Sequence, residues 1–263
     1  MIFYFFRLTL ALFITIVLTT VTILLGIFDR HGKRVYCINR LWTWSILRIG
    51  RISVTVRGLE NLDPSEQYVF MVNHQSNIDI PILVQSLSRF QLRWIAKKEL
   101  LWVPLFGWAM WATKHIIVNR SDPGAARKSL ERAKRRMAAG ISVVVFPEGT
   151  RSRDGKLLPF KKGGFLLALQ TGKNIVPVTI NGSGHLLASG DWRLRSGNVE
   201  VIVEKPIITK TFRVGSIRSL SDRVRQAIAA HLRPLGSFAD GRRQTSVQSE
   251  YRPGVGETPS LNL

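Results

Sequence analysis

From Leu8 to Phe28 the chain runs 21 residues without one charged side chain. As a helix rising about 1.5 Å per residue, that stretch reaches roughly 31 Å, the thickness of a bilayer's hydrocarbon. A cleaved signal peptide would have a shorter apolar core and a small-residue cleavage site, which Gly26-Ile27-Phe28-Asp29-Arg30 does not supply. Arg30, Lys33, Arg34 and Arg40 follow the stretch, against Arg7 alone before it. The positive-inside tendency therefore places the following domain in the cytoplasm.

Val35–Ile49 reads as a second helix of a different kind. Ile38, Leu41, Trp42, Ile46 and Ile49 form one stripe, with Arg40, Thr43 and Arg48 on the opposite side beside Trp44 and Leu47. Such a helix suits the membrane interface, its arginines reaching toward phosphates, and equally suits docking on a soluble domain. Lys and Arg number 38 against 17 Asp and Glu, a formal charge of +21. This implies an anionic partner: nucleic acid, a membrane surface or a phosphorylated substrate. A single cysteine, Cys37, excludes an intrachain disulfide and a Cys-rich zinc site, and fits a reducing compartment.

Beyond Gly50 short β-rich runs alternate with helical ones. Ile52–Val56, Tyr68–Val72, Arg93–Ala96, His115–Val118, Ser142–Phe146, Ile175–Ile180 and Val199–Val203 read as strands. Ile80–Leu87, a segment opened by Asp122-Pro123 and closed by Gly140, Gly164–Gln170 and Ser219–Leu232 read as helices. Uninterrupted apolar strands such as Tyr68–Val72 are buried on both faces. The expectation is an α/β fold, a central sheet flanked by helices and preceded by a membrane-associated helical segment. The organisation follows as 1–50 membrane-anchoring helices, 51–235 an α/β domain, and 236–263 a polar, disordered tail.

Two segments carry candidate chemistry. In Val72-Asn73-His74-Gln75-Ser76-Asn77-Ile78-Asp79 an imidazole and a carboxylate lie five residues apart. On a regular helix five residues advance about 500°, leaving the side chains some 140° apart, so pairing requires a turn. Asp79 reads as the cap of the helix Ile80–Leu87, with Pro81 tolerated in its first turn. His74 then sits on the preceding loop, where Asp79 can fold back onto one ring nitrogen and leave the other as a base. A loop histidine beside a capping aspartate also arises for structural reasons alone.

The other segment is Phe146-Pro147-Glu148-Gly149-Thr150-Arg151-Ser152, at the end of an apolar strand, where α/β sheets present ligand-binding loops. Gly149 lets backbone approach a ligand, while Thr150 and Arg151 offer a hydroxyl and a forked cation suited to phosphate oxygens. Glu148 would repel a phosphate, so it reads as accepting from a substrate hydroxyl or holding an arginine. Further cations stand at Lys97-Lys98, Arg120 and Lys161-Lys162. The apolar run Leu100–Ala112, with Trp102, Trp108 and Trp111, suits a core, an acyl-chain groove or a membrane-dipping surface.

His74-x-x-x-x-Asp79, Lys97-Lys98-Glu99-Leu100, Arg120 at a strand end, Phe146–Ser152 and Val176-Pro177-Val178 together resemble, in order and spacing, the glycerolipid acyltransferases, specifically the 1-acylglycerol-3-phosphate acyltransferases. The resemblance covers roughly Gly58 to Lys205. One departure is Asn119-Arg120, where the family block often ends in Asp-Arg, which removes a carboxylate beside Arg120. The resemblance implies one-step acyl transfer from a thioester to the sn-2 hydroxyl of lysophosphatidate, giving phosphatidate without an acyl-enzyme. His74 would be the general base and Asp79 its orienting partner. Lys97, Arg120 and Arg151 would hold the phosphate, Glu148 and Thr150 would contact the glycerol portion, and Gly149 would let the backbone approach the substrate. No cofactor or metal is implied, only acyl-CoA or acyl carrier protein as co-substrate. The implied partners are membrane lipids rather than nucleic acid, at the cell inner membrane, with the catalytic domain on the cytoplasmic side. Acylation of glycerol 3-phosphate or another lysolipid, and a noncatalytic lipid-binding role, are the alternatives.

Overall fold

A computed structural model describes residues 2–119, 123–191 and 193–238. Two helices lead the chain, α1 (Ile2–Gly26) and α2 (Val35–Gly50). The α/β unit follows as β1 (Ile52–Arg57), β2 (Val69–Val72), α3 (Asp79–Ser86), β3 (Leu92–Lys97), α4 (Phe106–Ala112), β4 (Ile116–Val118), α5 (Pro123–Ala138), β5 (Ser142–Val145), α6 (Gly163–Thr171), β6 (Ile175–Asn181), α7 (Ser183–Leu186), β7 (Gly197–Val203) and α8 (Ile217–His231).

The seven strands form one sheet in the order β1-β7-β6-β2-β5-β3-β4. Every pairing is parallel except β6 with β7. Strands β2, β5 and β6 are buried throughout, as their unbroken apolar runs require of strands covered on both faces. One face carries Phe70, Val72, Val144 and Val178 against Ile82 and Leu83 of α3. The other carries Met71, Val143 and Val145 against α5, α6 and α8. Leu220, Val224 and Ile228, one turn apart along α8, are fully buried there. Each such side chain stabilises the layer by about 1.5–3 kcal/mol relative to exposure.

The start of the chain, expected to associate with a membrane, is a helical pair. Asp29 Oδ2 accepts from the Arg34 and Val35 amides at the start of α2, at 2.6 and 3.0 Å. Trp42 Nε1 donates to Thr15 Oγ1 at 3.0 Å, and Arg7 Nε to the Ile49 carbonyl at 2.7 Å. These bonds hold α1 and α2 antiparallel. Of the expected apolar stripe of α2, Leu41 is exposed and Ile38, Trp42, Ile46 and Ile49 are half-buried, whereas the buried positions include Tyr36, Thr43 and Leu47. The reason is that α2 is the middle layer of a stack. Its stripe at Trp42 meets α1, while Thr43 Oγ1 accepts from Gln85 Nε2 of α3 at 2.7 Å on the other side.

Arg93, at the start of the expected strand Arg93–Ala96, is fully buried despite its charge. Its guanidinium donates to the carbonyls of Leu92, His31 and Gly32 and lies over the Tyr36 ring, 5.2 Å from the centroid. The loop between α1 and α2 is thereby fastened to β3. At the other end of the chain, Leu235–Phe238 forms a 3-10 turn with Leu235 packed on Gly155 and Phe238 on Gly182. Order thus continues three residues into the segment expected to be disordered from Gly236, because these two apolar side chains find partners. The rest of that segment, 239–263, lies outside the described residues.

Candidate active site

The carboxyl ends of β2, β5, β3 and β4 lie along one edge of the sheet. Register sets Met71 opposite Val145, Trp94 opposite Val144 and Lys97 opposite Val118. The loops at residues 73–79, 146–152 and 97–98 therefore emerge side by side, the arrangement in which parallel sheets bind ligands. With strands about 4.8 Å apart, Lys97 sits roughly 10 Å along the edge from the end of β2.

His74 is fixed from several sides. Asn73 just before it acts as a surrogate backbone pair, its Nδ2 donating to the Ile180 carbonyl at 2.9 Å and its Oδ1 accepting from the Ile180 amide at 2.7 Å. The His74 amide donates to Glu148 Oε1 at 2.9 Å, and the His74 carbonyl accepts from the Ser152 amide at 2.8 Å. The imidazole stacks on the Phe146 ring, with centroids 3.8 Å apart and planes 11° from parallel. Its Nδ1 lies 2.8 Å from Asp79 Oδ2. A carboxylate there holds the neutral ring's proton on Nδ1, so Nε2 carries the lone pair. The side chain is 15% exposed, so that lone pair has a restricted approach from outside.

Asp79 departs from its expected arrangement. It is the first residue of α3 rather than its cap, and the helix start has no side-chain cap bond. The same Oδ2 that meets His74 accepts from the Gln75 and Ser76 amides, both at 2.9 Å. Oδ1 is buried without a hydrogen-bond partner among the described residues. One oxygen therefore both folds the loop and orients the imidazole, instead of the two oxygens dividing these tasks.

Glu148 also departs from expectation. It is 2% exposed, and its oxygens accept from the amides of His74 and Leu158 at 2.9 Å each, so both are engaged by the backbone. Burial pushes its carboxyl up, while those two amides pull it down. The residue ties the 146–152 loop to His74 and to the 157–160 segment. That segment is gripped in turn by Arg225 of α8, which donates to the Leu158 and Leu157 carbonyls at 2.7 and 2.9 Å and lies over Phe160. Sequence reading missed Phe146 and Arg225. Phe146 opens the candidate segment, two residues before Glu148, but was given no role of its own, whereas nothing local marks Arg225.

The remaining candidates stand at the same edge. Gly149 turns the loop at φ +72, a conformation that favours glycine. Thr150 is exposed and Arg151 half-buried, and no side-chain hydrogen bond or ion pair of Arg151 occurs among the described residues. Lys97 is exposed at the end of β3. Arg120 lies outside the described residues. A cavity of about 780 Å³ runs beneath Pro147 between α5 and α6, floored by Ile95, Ile116 and Val145 and rimmed by Arg127 and Lys161. Among the described residues, no group of three or more His, Cys, Asp or Glu is placed to hold a metal ion.

Residues 53–181 match the family model described as Acyltransferase. The chain is 35% identical over 232 residues to a 1-acyl-sn-glycerol-3-phosphate acyltransferase of Chlamydomonas reinhardtii, covering 87% of this chain and 67% of that protein. It is 35% identical over 206 residues to the human 1-acyl-sn-glycerol-3-phosphate acyltransferase alpha, covering 78% and 72%. A chloroplastic enzyme of that name from Brassica napus is 39% identical over 184 residues, where the chain spans 53% of the relative's length. The crystal structure of the 1-acyl-sn-glycerophosphate acyltransferase PlsC of Thermotoga maritima superposes with a TM-score of 0.66 at 28% identity, covering 85% of this chain and 97% of that one.

Proposed function

Because the chain belongs to the 1-acylglycerol-3-phosphate acyltransferase family of glycerolipid acyltransferases, we propose that it moves a fatty acyl group from an acyl thioester to the sn-2 hydroxyl of lysophosphatidate, yielding phosphatidate. The observation that carries this reading is the His74–Asp79 pair, with Arg151 and Lys97 at the same sheet edge.

His74 Nε2 takes the proton of the sn-2 hydroxyl as its oxygen attacks the thioester carbonyl. The imidazolium is stabilised by the Asp79 carboxylate. Collapse of the tetrahedral intermediate breaks the C–S bond, and the departing thiolate takes the proton back from His74, so the products are phosphatidate and a free thiol. The nucleophile is the substrate's own oxygen, and no residue of the enzyme is acylated. Arg151 and Lys97 hold the phosphate, with Arg120 assigned to the same task by the family resemblance alone, and Gly149 and Thr150 border the glycerol. The cavity beneath Pro147 offers the donor's acyl chain an apolar path away from water. Coenzyme A and acyl carrier protein both suit the cationic surroundings as donor carriers.

The N-terminal apolar helix supports membrane association. Since α1 lies along α2, and α2 along the α/β unit, the pair rests in one leaflet with the catalytic edge facing the cytoplasm, at the inner membrane of the cell. The test uses the purified full chain with lysophosphatidate and acyl-CoA. Thiol release and phosphatidate formation are expected, and both should vanish in His74→Ala while vesicle binding persists. Full turnover by His74→Ala would overturn the mechanism.

A further inference from the structure

Between the end of β3 and the start of β4 the chain exposes a row of large apolar side chains. Trp102 is 79% exposed, Trp108 59% and Trp111 56%, with Leu100, Val103 and Phe106 exposed beside them. This is an ordered surface. A Cβ at Gly107 would collide with the Leu101 carbonyl, so glycine alone lets α4 fold onto the preceding 3-10 turn Lys98–Trp102. The Gly107 and Ala109 amides donate to Val103 and Leu105, both at 2.8 Å. Helix α4 turns its smaller residues Gly107, Met110 and Ala112 inward and its tryptophans outward, the reverse of a helix meant to face water.

We propose that this face is a second membrane contact, which sets Trp102, Trp108 and Trp111 at headgroup depth in the leaflet that receives α1. The proposal rests on the membrane reading given above. Two observations select a bilayer as the occupant. The helix that carries the face abuts the end of α1, for its inward Ala112 packs so closely on Gly26 that a Cβ there would lie 2.6 Å from the Ala112 Cβ. Its charges also suit a lipid surface: Lys97 and Lys98 are exposed at one end, and Lys114 Nζ sits over the Trp111 ring at 4.2 Å at the other, with Glu99 the one carboxylate in between. Tryptophans flanked by lysines fit the boundary between acyl chains and anionic headgroups. Because Lys97 ends β3 at the catalytic edge, the contact holds the mouth of the site against the lipid from which lysophosphatidate is drawn.

The test places one probe at a time on the full chain in a Cys37→Ser background. Trp108→Cys, Leu12→Cys on α1 and Arg223→Cys on α8 are each labelled with an environment-sensitive fluorophore. Each is reconstituted in phosphatidylcholine–phosphatidylglycerol vesicles with and without lipids carrying a shallow nitroxide. Quenching of the Trp108 and Leu12 probes, with the Arg223 probe unaffected, is the expected result. Quenching at Leu12 without quenching at Trp108 overturns the second contact and leaves the anchoring by α1 intact. Quenching at neither site overturns both. A Trp108 signal that follows protein concentration rather than lipid would identify a contact between copies of the chain and likewise overturn the proposal.

Discussion

Replacing Asp79 separates two tasks that converge on one oxygen. Oδ2 receives His74 Nδ1 at 2.8 Å and the Gln75 and Ser76 amides at 2.9 Å, while Oδ1 is buried without a hydrogen-bond partner among the described residues. An asparagine that sets its carbonyl at the Oδ2 position keeps all three donors satisfied, loses the charge and puts an amide nitrogen in place of Oδ1. When His74 accepts the proton, a bond between two charged partners, at about 1.5–3 kcal/mol, weakens toward about 1 because only the imidazolium is still charged. That difference is part of the attraction between imidazolium and carboxylate, whose ceiling is about 4 kcal/mol at 4 Å and an effective dielectric of 20. At about 1.4 kcal/mol per decade, kcat of Asp79→Asn should drop by roughly 10- to 1000-fold. Stability should change by less than about 2 kcal/mol, since a buried amide without an acceptor replaces a buried charge that was itself costly to desolvate. Asp79→Ala is different in kind. It orphans three buried donors at about 1–3 kcal/mol each, a large share of a domain's margin of about 5–15 kcal/mol. Thiol release at saturating substrates and urea denaturation in a fixed detergent read the two effects. If Asp79→Asn keeps kcat within about twofold, the carboxylate's charge does not assist the imidazole. If Asp79→Ala unfolds no earlier than Asp79→Asn, the oxygen does not hold the loop.

Arg151→Met should raise KM for lysophosphatidate about 10- to 100-fold, the worth of one charged hydrogen bond, and leave the donor KM alone; an unchanged acceptor KM removes Arg151 from the phosphate site. Arg225→Met frees the Leu157 and Leu158 carbonyls and should cost about 1.5–3 kcal/mol in denaturant midpoint together with a several-fold loss of kcat, because Leu158 also holds Glu148. Unaltered kcat in a destabilised Arg225→Met would separate the loop from the chemistry. His115, beside Trp94, is pushed down to about 3, first by burial and then by the Arg93 charge. The unfolded chain therefore binds a proton that the folded one refuses between about pH 6.5 and 3, so this residue's contribution is fully present above that window and is lost as pH falls through it, by at most about 1.4 kcal/mol per pH unit. Denaturation midpoints against pH should show the slope, and His115→Gln should flatten it.

The α/β order and the His74–Asp79 partnership were legible because they rest on periodicity and on a spacing that only a turn can close. What escaped was whatever depends on backbone partners. Glu148 carries the same letter whether it faces a hydroxyl or two amides, and the amides of His74 and Leu158 have no signature in composition. Arg93 is hidden for the same reason, since its acceptors are carbonyls some sixty positions away. The stripe on α2 misled because two layers cover that helix, and a single amphipathic stripe describes only one. Phe146 stood in view, but stacking on an imidazole is a fact of three dimensions.

The grip of Arg93 on His31 and Gly32 has a further consequence. A catalytic head on a loose tether searches a volume above the bilayer and meets its substrate by chance. Here the turn of the helical pair is bolted to β3, so on the proposed membrane reading the height and tilt of His74 over the lipid would be built in as a fixed length. Exchanging α1 and its turn for an unrelated anchor would keep such a protein on the membrane and still leave it out of register with the molecules it must reach.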